Sequence, residues 1–161
     1  MDKTAKREPQ ALSGSLLLAL AGLAAFVTAT VIEMRDPLKM MLEWELLAVF
    51  VRPETHGWFR VVVMLVGMDV VSGTFVIAGA GWLVLLLWRR SERFPVHVQG
   101  WLLTVLVMRM FAYLFGKYLT DSIGIDIGIP VDGFALAAAA AALAVPYFRW
   151  SQRVRKTFIQ P

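Results

Sequence analysis

Apolar residues in this chain fall into four long blocks, separated by short polar stretches. The blocks are "LSGSLLLALAGLAAFVTATVI", "VVVMLVGMDVVSGTFVIAGAGWLVLLLW", "GWLLTVLVMRMFAYLFGKYL" and "GFALAAAAAALAVPYF". None alternates with the period of two that marks a half-buried strand. A helix rises 1.5 Å per residue, so about 20 apolar residues cross a hydrocarbon layer of about 30 Å. The first three blocks meet that length. The fourth is short and needs its flanks, with Arg149 and Trp150 reaching the interface. The pattern predicts membrane helices over about 12–33, 61–88, 100–119 and 130–150. Only helices and closed barrels satisfy every backbone polar group in lipid, and blocks of this length suit helices.

The segment between the first two blocks, "MRDPLKMMLEWELLAVFVRPETHGWFR", has a different pattern. Pro37 suits a first helical turn with Asp36 as its cap. A helix over about 37–51 would then stop before Pro53. It is too short to span, and its few charges come early. It reads as an amphipathic helix lying in the interface or against the bundle. The expected fold class is therefore all-α: an integral membrane four-helix up-and-down bundle, with an outer interfacial helix between helices 1 and 2. The 161 residues form one membrane domain, closed by a basic tail over 149–161.

Composition sharpens the picture. Hydrophobic residues make up 58% and charged residues 17%, more apolar surface than a small water-soluble domain can hide. There is no cysteine, which removes disulfides and thiolate metal sites. The net charge of +4 could suggest nucleic acid, but sorting the cations by side explains it better. With the N-terminus inside, Lys3, Lys6, Arg7, Arg89, Arg90, Arg93, Arg149, Arg153, Arg155 and Lys156 share the cytoplasmic face. Arg35, Lys39, Arg52, Arg60 and Lys117 are outside. The positive-inside rule then places both termini in the cytoplasm. The start "MDKTAKREPQ" followed by "TAT" at 28–30 has a hint of a cleaved signal, but the apolar run is too long for one. No internal repeat supports an inverted-repeat transporter.

The two ends of the chain carry a resemblance. The tail "VPYFRWSQRVRKTFIQ" is similar to the C-terminal signature of domain-of-unknown-function family 2569, the YdgK-like small bacterial four-helix membrane proteins. In that family a proline-aromatic helix end runs into Ser-Lys-Arg-Val-Lys-x-Thr-Phe. Here "SQRVRKTF" has Gln152 for the first basic residue. The start "LSGSLLLALAGLAAFVTATVIEMRDPLKMM" resembles the family's first helix and following amphipathic segment, but has Ser13-Gly14-Ser15 where a Gly-Gly-Trp opening is usual. The resemblance implies four helices with both ends inside, and no known reaction.

Candidate chemistry centres on two charges inside the apolar blocks. Asp69 lies eight residues below the outer end of helix 2, about 12 Å deep, and Arg109 ten residues below that of helix 3, about 15 Å. Either charge alone costs about 2.5–3.5 kcal/mol at a helix centre. Consecutive antiparallel helices are usually neighbours, so the two are expected to pair. The pair could fix helix register, or line a polar cavity for an ion, proton or ligand headgroup. Ser72, Thr74, Thr104 and Tyr113 could complete such a cavity, although membrane hydroxyls more often bond the backbone. Glu33, ending helix 1, is expected to be solvated, with Arg35 or Lys117 as possible partners. Gly and Ala residues, above all in the run Ala137–Ala142, permit close helix approach and leave room for a partner helix. Pro146 is expected to kink or end helix 4.

Trp150, Arg153, Arg155, Lys156 and Phe158 form an amphipathic basic tail, a candidate contact for anionic inner-leaflet lipid or a membrane-protein partner. No nucleophile–base pair, phosphate loop or His-Glu-x-x-His is present, and "GTFVIAGAG" lacks the strand context of a dinucleotide site. His56 and His97 fall in opposite loops, which removes a metal site built on both. The sequence thus reads as a non-catalytic membrane protein without a cofactor, binding lipid or partner as an accessory subunit. The alternative is a small transporter or proton-linked carrier using Asp69 and Arg109.

Overall fold

The computed structural model describes residues 14–43, 48, 52, 57–89, 91–124 and 131–151. Their elements are α1 (Gly14–Glu33), α2 (Arg35–Leu42), α3 (Gly57–Trp88), α4 (Phe94–Ile123) and α5 (Val131–Trp150). No strand occurs among the described residues. Four stretches are long and apolar enough to cross a membrane: Leu17–Leu42, Phe59–Trp88, Phe94–Ser122 and Val131–Trp150. The protein is an all-α bundle of membrane-spanning helices.

The long helices run up and down. Phe94, opening α4, meets Phe148, near the end of α5, edge to face at 5.9 Å. At the opposite end of the same helices Tyr113 stacks on Phe134 at 5.2 Å. Each long helix packs on the next, α1 on α3, α3 on α4 and α4 on α5, and α5 closes back on α1. The α4–α5 seam is the most extensive contact. Its basis is a stripe on α5: Gly133, Ala137, Ala141 and Phe148 are buried, at spacings of four, four and seven. The small residues let the helix backbones approach, and one face of the alanine run is thereby chosen for packing.

α3 uses glycine in the same way. Gly79 lies under Trp101, and Gly73 lies against Met34. Trp101 also meets Phe26 edge to face at 5.9 Å. Phe26, Val76, Val98, Trp101, Leu102, Val105, Ala137 and Ala141 belong to one continuous core.

The helix ends follow local chemistry. Pro95 stands in the first turn of α4, where a missing N–H costs nothing. α4 stops at Gly124, whose φ of 71° is the left-handed value that side chains resist, and whose N–H donates to Thr120 O at 2.9 Å. α4 starts and ends outside the predicted 100–119, since the polar residues at its ends extend the helix beyond its apolar block. Pro146 lies inside α5 without ending it: the helix continues to Trp150.

The α2 region departs from expectation. Asp36 is not its cap. Only Met34 separates α1 from α2, its N–H donating to Thr30 O at 3.0 Å and its carbonyl accepting from Leu38 N–H at 2.9 Å. Asp36 and Pro37 fall within the first turn. Pro37 has no N–H to offer the Glu33 carbonyl, which is the physical reason for an interruption there. α2 also stops early, with Glu43 extended at ψ 114°, so one unbroken helix over 37–51 is not formed. Residues 44–47 lie outside the described set. No α2 residue is buried, and α2 rests mainly on α3.

Candidate functional site

The polar centre lies at the α2 end of the bundle, where α1 finishes, α3 and α5 begin their descent and α4 nears its end. Arg109 of α4 is only 4% exposed. Its Nη1 donates to Oδ1 of Asp69 on α3, and its Nη2 reaches Oε2 of Glu33 on α1 at 3.5 Å. The planar guanidinium fork thus joins two carboxylates from two other helices. The fourth helix contributes an absence. A Cβ on Gly133 of α5 would lie 2.9 Å from Arg109 Nη1 and 3.3 Å from Glu33 Oε2. A side chain at this position would crowd the guanidinium against α5.

The structure therefore brings Asp69 and Arg109 together, and adds Glu33. Glu33 is not simply solvated at a helix end, nor paired with Arg35 or Lys117. Its ion pair is with Arg109, because the arginine stem carries its charge up the bundle toward the interface. Glu33 sits at the C-terminal end of α1, an unfavourable place for an anion. The N-terminus of α5 beside it offsets that. Ser72, Thr74 and Thr104 instead donate to carbonyls of their own helices at 2.8–2.9 Å, and Tyr113 stacks on Phe134. None of the four completes the site. Trp150 is exposed, while Arg153, Arg155, Lys156 and Phe158 lie outside the described residues.

Above Arg109 the bundle leaves a cavity of about 460 Å³. α4 explains it: Ala112 and Gly116 follow Arg109 at the i+3 and i+7 positions of the same face, so that face has no bulk to fill the space. α3 lines the opposite side with Val62, Leu65, Val66 and Asp69. The α1–α2 corner adds Glu33, Asp36, Pro37 and Met40, and α5 adds Asp132 and Gly133. The cavity has a charged floor, an apolar wall on α3 and carboxylates at its rim. Sequence reasoning missed Ala112 and Gly116. The signal was present in "RMFAYLFG", where the small residues recur at helical spacing from the arginine.

These features define a multi-pass integral membrane protein with a buried polar centre shared by four helices. Comparison with known proteins gives it a family. The sequence profile of the family described as protein of unknown function (DUF2569) matches residues 9–159, and the chain belongs to that family. It is 32% identical over 80 residues to Inner membrane protein YdgK of Escherichia coli (strain K12). The aligned part covers 50% of this chain and 50% of that relative, so the match spans about half the length of each. No solved structure matches the chain. The chain is accordingly a multi-pass inner membrane protein.

Proposed function

We propose that this protein is a non-catalytic membrane component that binds an amphiphile, with the headgroup in the cavity above Arg109 and the tail along the apolar α3 wall. One observation carries this reading: the cavity combines a charged floor with an apolar side and ends blind. Below Arg109 the continuous core that includes Val76, Trp101, Val105 and Ala137 fills the bundle. A carrier would need a route through that layer, so the packing favours binding over passage.

The test uses purified protein in mild detergent, titrated with short-chain lysophospholipids and followed by native mass spectrometry. Gly116→Leu adds bulk on the α4 side of the cavity, two turns above Arg109. It is expected to lower occupancy at least tenfold. Equal occupancy in parent and variant would show that the lipid binds elsewhere on the protein.

The α2 end is proposed to face away from the cytoplasm, which the distribution of Lys and Arg supports. Single cysteines at Ser13, Thr55, Ser91, Ser122 and Ser151 test it in this cysteine-free chain. Those at 55 and 122 are expected to react with an impermeant thiol reagent added to intact cells. Labelling at 91 or 151 from outside would reverse the orientation.

The basic tail then falls on the cytoplasmic side. There Arg153, Arg155 and Lys156, with Trp150 and Phe158, are proposed to rest on anionic lipid and offer a docking segment to a larger assembly. Hydrogen exchange of residues 152–161 is expected to slow in anionic vesicles relative to neutral ones. Neutralising the three cations should remove the difference. Equal exchange in both vesicle types would leave the lipid contact without support.

A further inference from the structure

We propose that α2 is a hinged lid at the mouth of the cavity, turning about Met34 and closing toward the α4 wall of Ala112 and Gly116. This control of access goes beyond the amphiphile reading and holds for any occupant.

The hinge has a chemical origin. Pro37 has no N–H for the Glu33 carbonyl, so the backbone ladder across the α1–α2 junction lacks a rung. The bundle side of the junction is pinned. Glu33 is tied to Arg109 of α4, and buried Met34 is seated where Gly73 of α3 has no side chain. Immediately beyond that pin the burial ends: no residue of Arg35–Leu42 is buried. A fixed pivot followed by a short helix with so little burial is built to move as one arm.

The arm stands at the opening. Asp36, Pro37 and Met40 of α2 line the cavity, yet the Asp36 side chain is 85% exposed and Met40 is exposed as well. The cavity is therefore open along α2. α2 leans on α3, and the α4 wall is built of Ala112 and Gly116. A turn of α2 toward α4 brings Met40 into the space those two residues leave. A methionine adapts to an irregular gap, and its burial there favours closure. Closure costs little elsewhere, since α2 gives up no buried residue. Leu38 and Leu42 are exposed one turn apart on α2 and suit contact with lipid as the helix turns within the interface.

Spin labels test the motion in this cysteine-free chain. Leu42→Cys on α2 is paired with Tyr118→Cys on α4. Leu18→Cys on α1 is paired with Leu143→Cys on α5 as a reference, and all four positions are exposed. Distances are measured by pulsed electron resonance on the full-length protein in phosphatidylglycerol–phosphatidylcholine vesicles. The reference pair is expected to give one narrow distribution, and the α2 pair a second population at shorter distance. Met40→Ala should lower the ratio of short to long population about fivefold, because the arm loses the side chain that fills the gap. In a separate single-cysteine protein, Ala112→Cys should react faster with a thiol reagent once Met40→Ala is added. Pro37→Ala restores the missing N–H and should collapse the α2 pair to one distribution. A single α2–α4 distance as narrow as the reference would overturn the lid. A population ratio unmoved by Met40→Ala would overturn closure onto the Ala112–Gly116 wall, and two populations persisting with Pro37→Ala would overturn the hinge. None of these results depends on lysophospholipid binding, so the lid and the amphiphile reading fail separately.

Discussion

Arg109→Gln is expected to cost about 3–5 kcal/mol of folding stability, the scale for removing one side of a buried ion pair. The loss should be large because the arginine serves two carboxylates. Its removal leaves Asp69 and Glu33 facing each other without a cation. Asp69→Asn should cost less, about 1–3 kcal/mol, since Arg109 keeps Glu33 and the amide oxygen still accepts. Glu33→Gln should cost least, because its side chain is 31% exposed and water can replace part of the contact. The double change Asp69→Asn with Arg109→Gln should recover part of the loss, with a coupling of about 0.5–3 kcal/mol. Unfolding by denaturant in mild detergent measures all four variants. Purely additive losses, or Arg109→Gln as stable as the parent, would show that this contact contributes nothing.

The second large effect is expected where two helices touch. A Cβ on Gly79 would overlap Nε1 of Trp101. The indole is buried at 7% exposure and held edge to face against Phe26, so it cannot move without disturbing a second ring. Gly79→Ala should therefore cost about 1–3 kcal/mol, as overpacking does. Gly73→Ala meets Met34 just as closely, but a thioether turns more easily than an indole, and its cost should be smaller. Gly81 has nothing within 4 Å of its Cβ position. There alanine should be neutral or gain up to about 1 kcal/mol from helix propensity. Thermal unfolding of the three variants gives the order. Gly79→Ala as stable as Gly81→Ala would mean that Trp101 moves freely at the α3–α4 seam.

The spans were legible in the sequence because lipid demands apolar length, and length is visible without a structure. Facing was not. Helices apolar on every side carry no stripe to show which side turns inward, so the α5 stripe of Gly133, Ala137 and Ala141 emerges only from the packing. The Asp69–Arg109 contact could be anticipated from depth alone, since both residues lie at matching distances from one end. Glu33 escaped that reasoning, which measured backbone depth and ignored the length of the arginine side chain. Asp36 and Pro37 resemble a helix start, and the pattern could not reveal that α1 carries on almost to the proline. The cavity was hidden for a different reason: it is made by missing bulk at Ala112 and Gly116, and small residues in a membrane helix also serve ordinary packing.

The order of the polar centre along the chain bears on biogenesis. Asp69 precedes Arg109 by 40 residues and Glu33 precedes it by 76. Both carboxylates are synthesised, and delivered to the insertion machinery, before their counter-charge exists. Gly133, which gives the guanidinium its seat, emerges later still. The first two spans each carry an acid that is made before the arginine it pairs with. The ion pairs can therefore close only after α4 has been made, and the seat on α5 is made last.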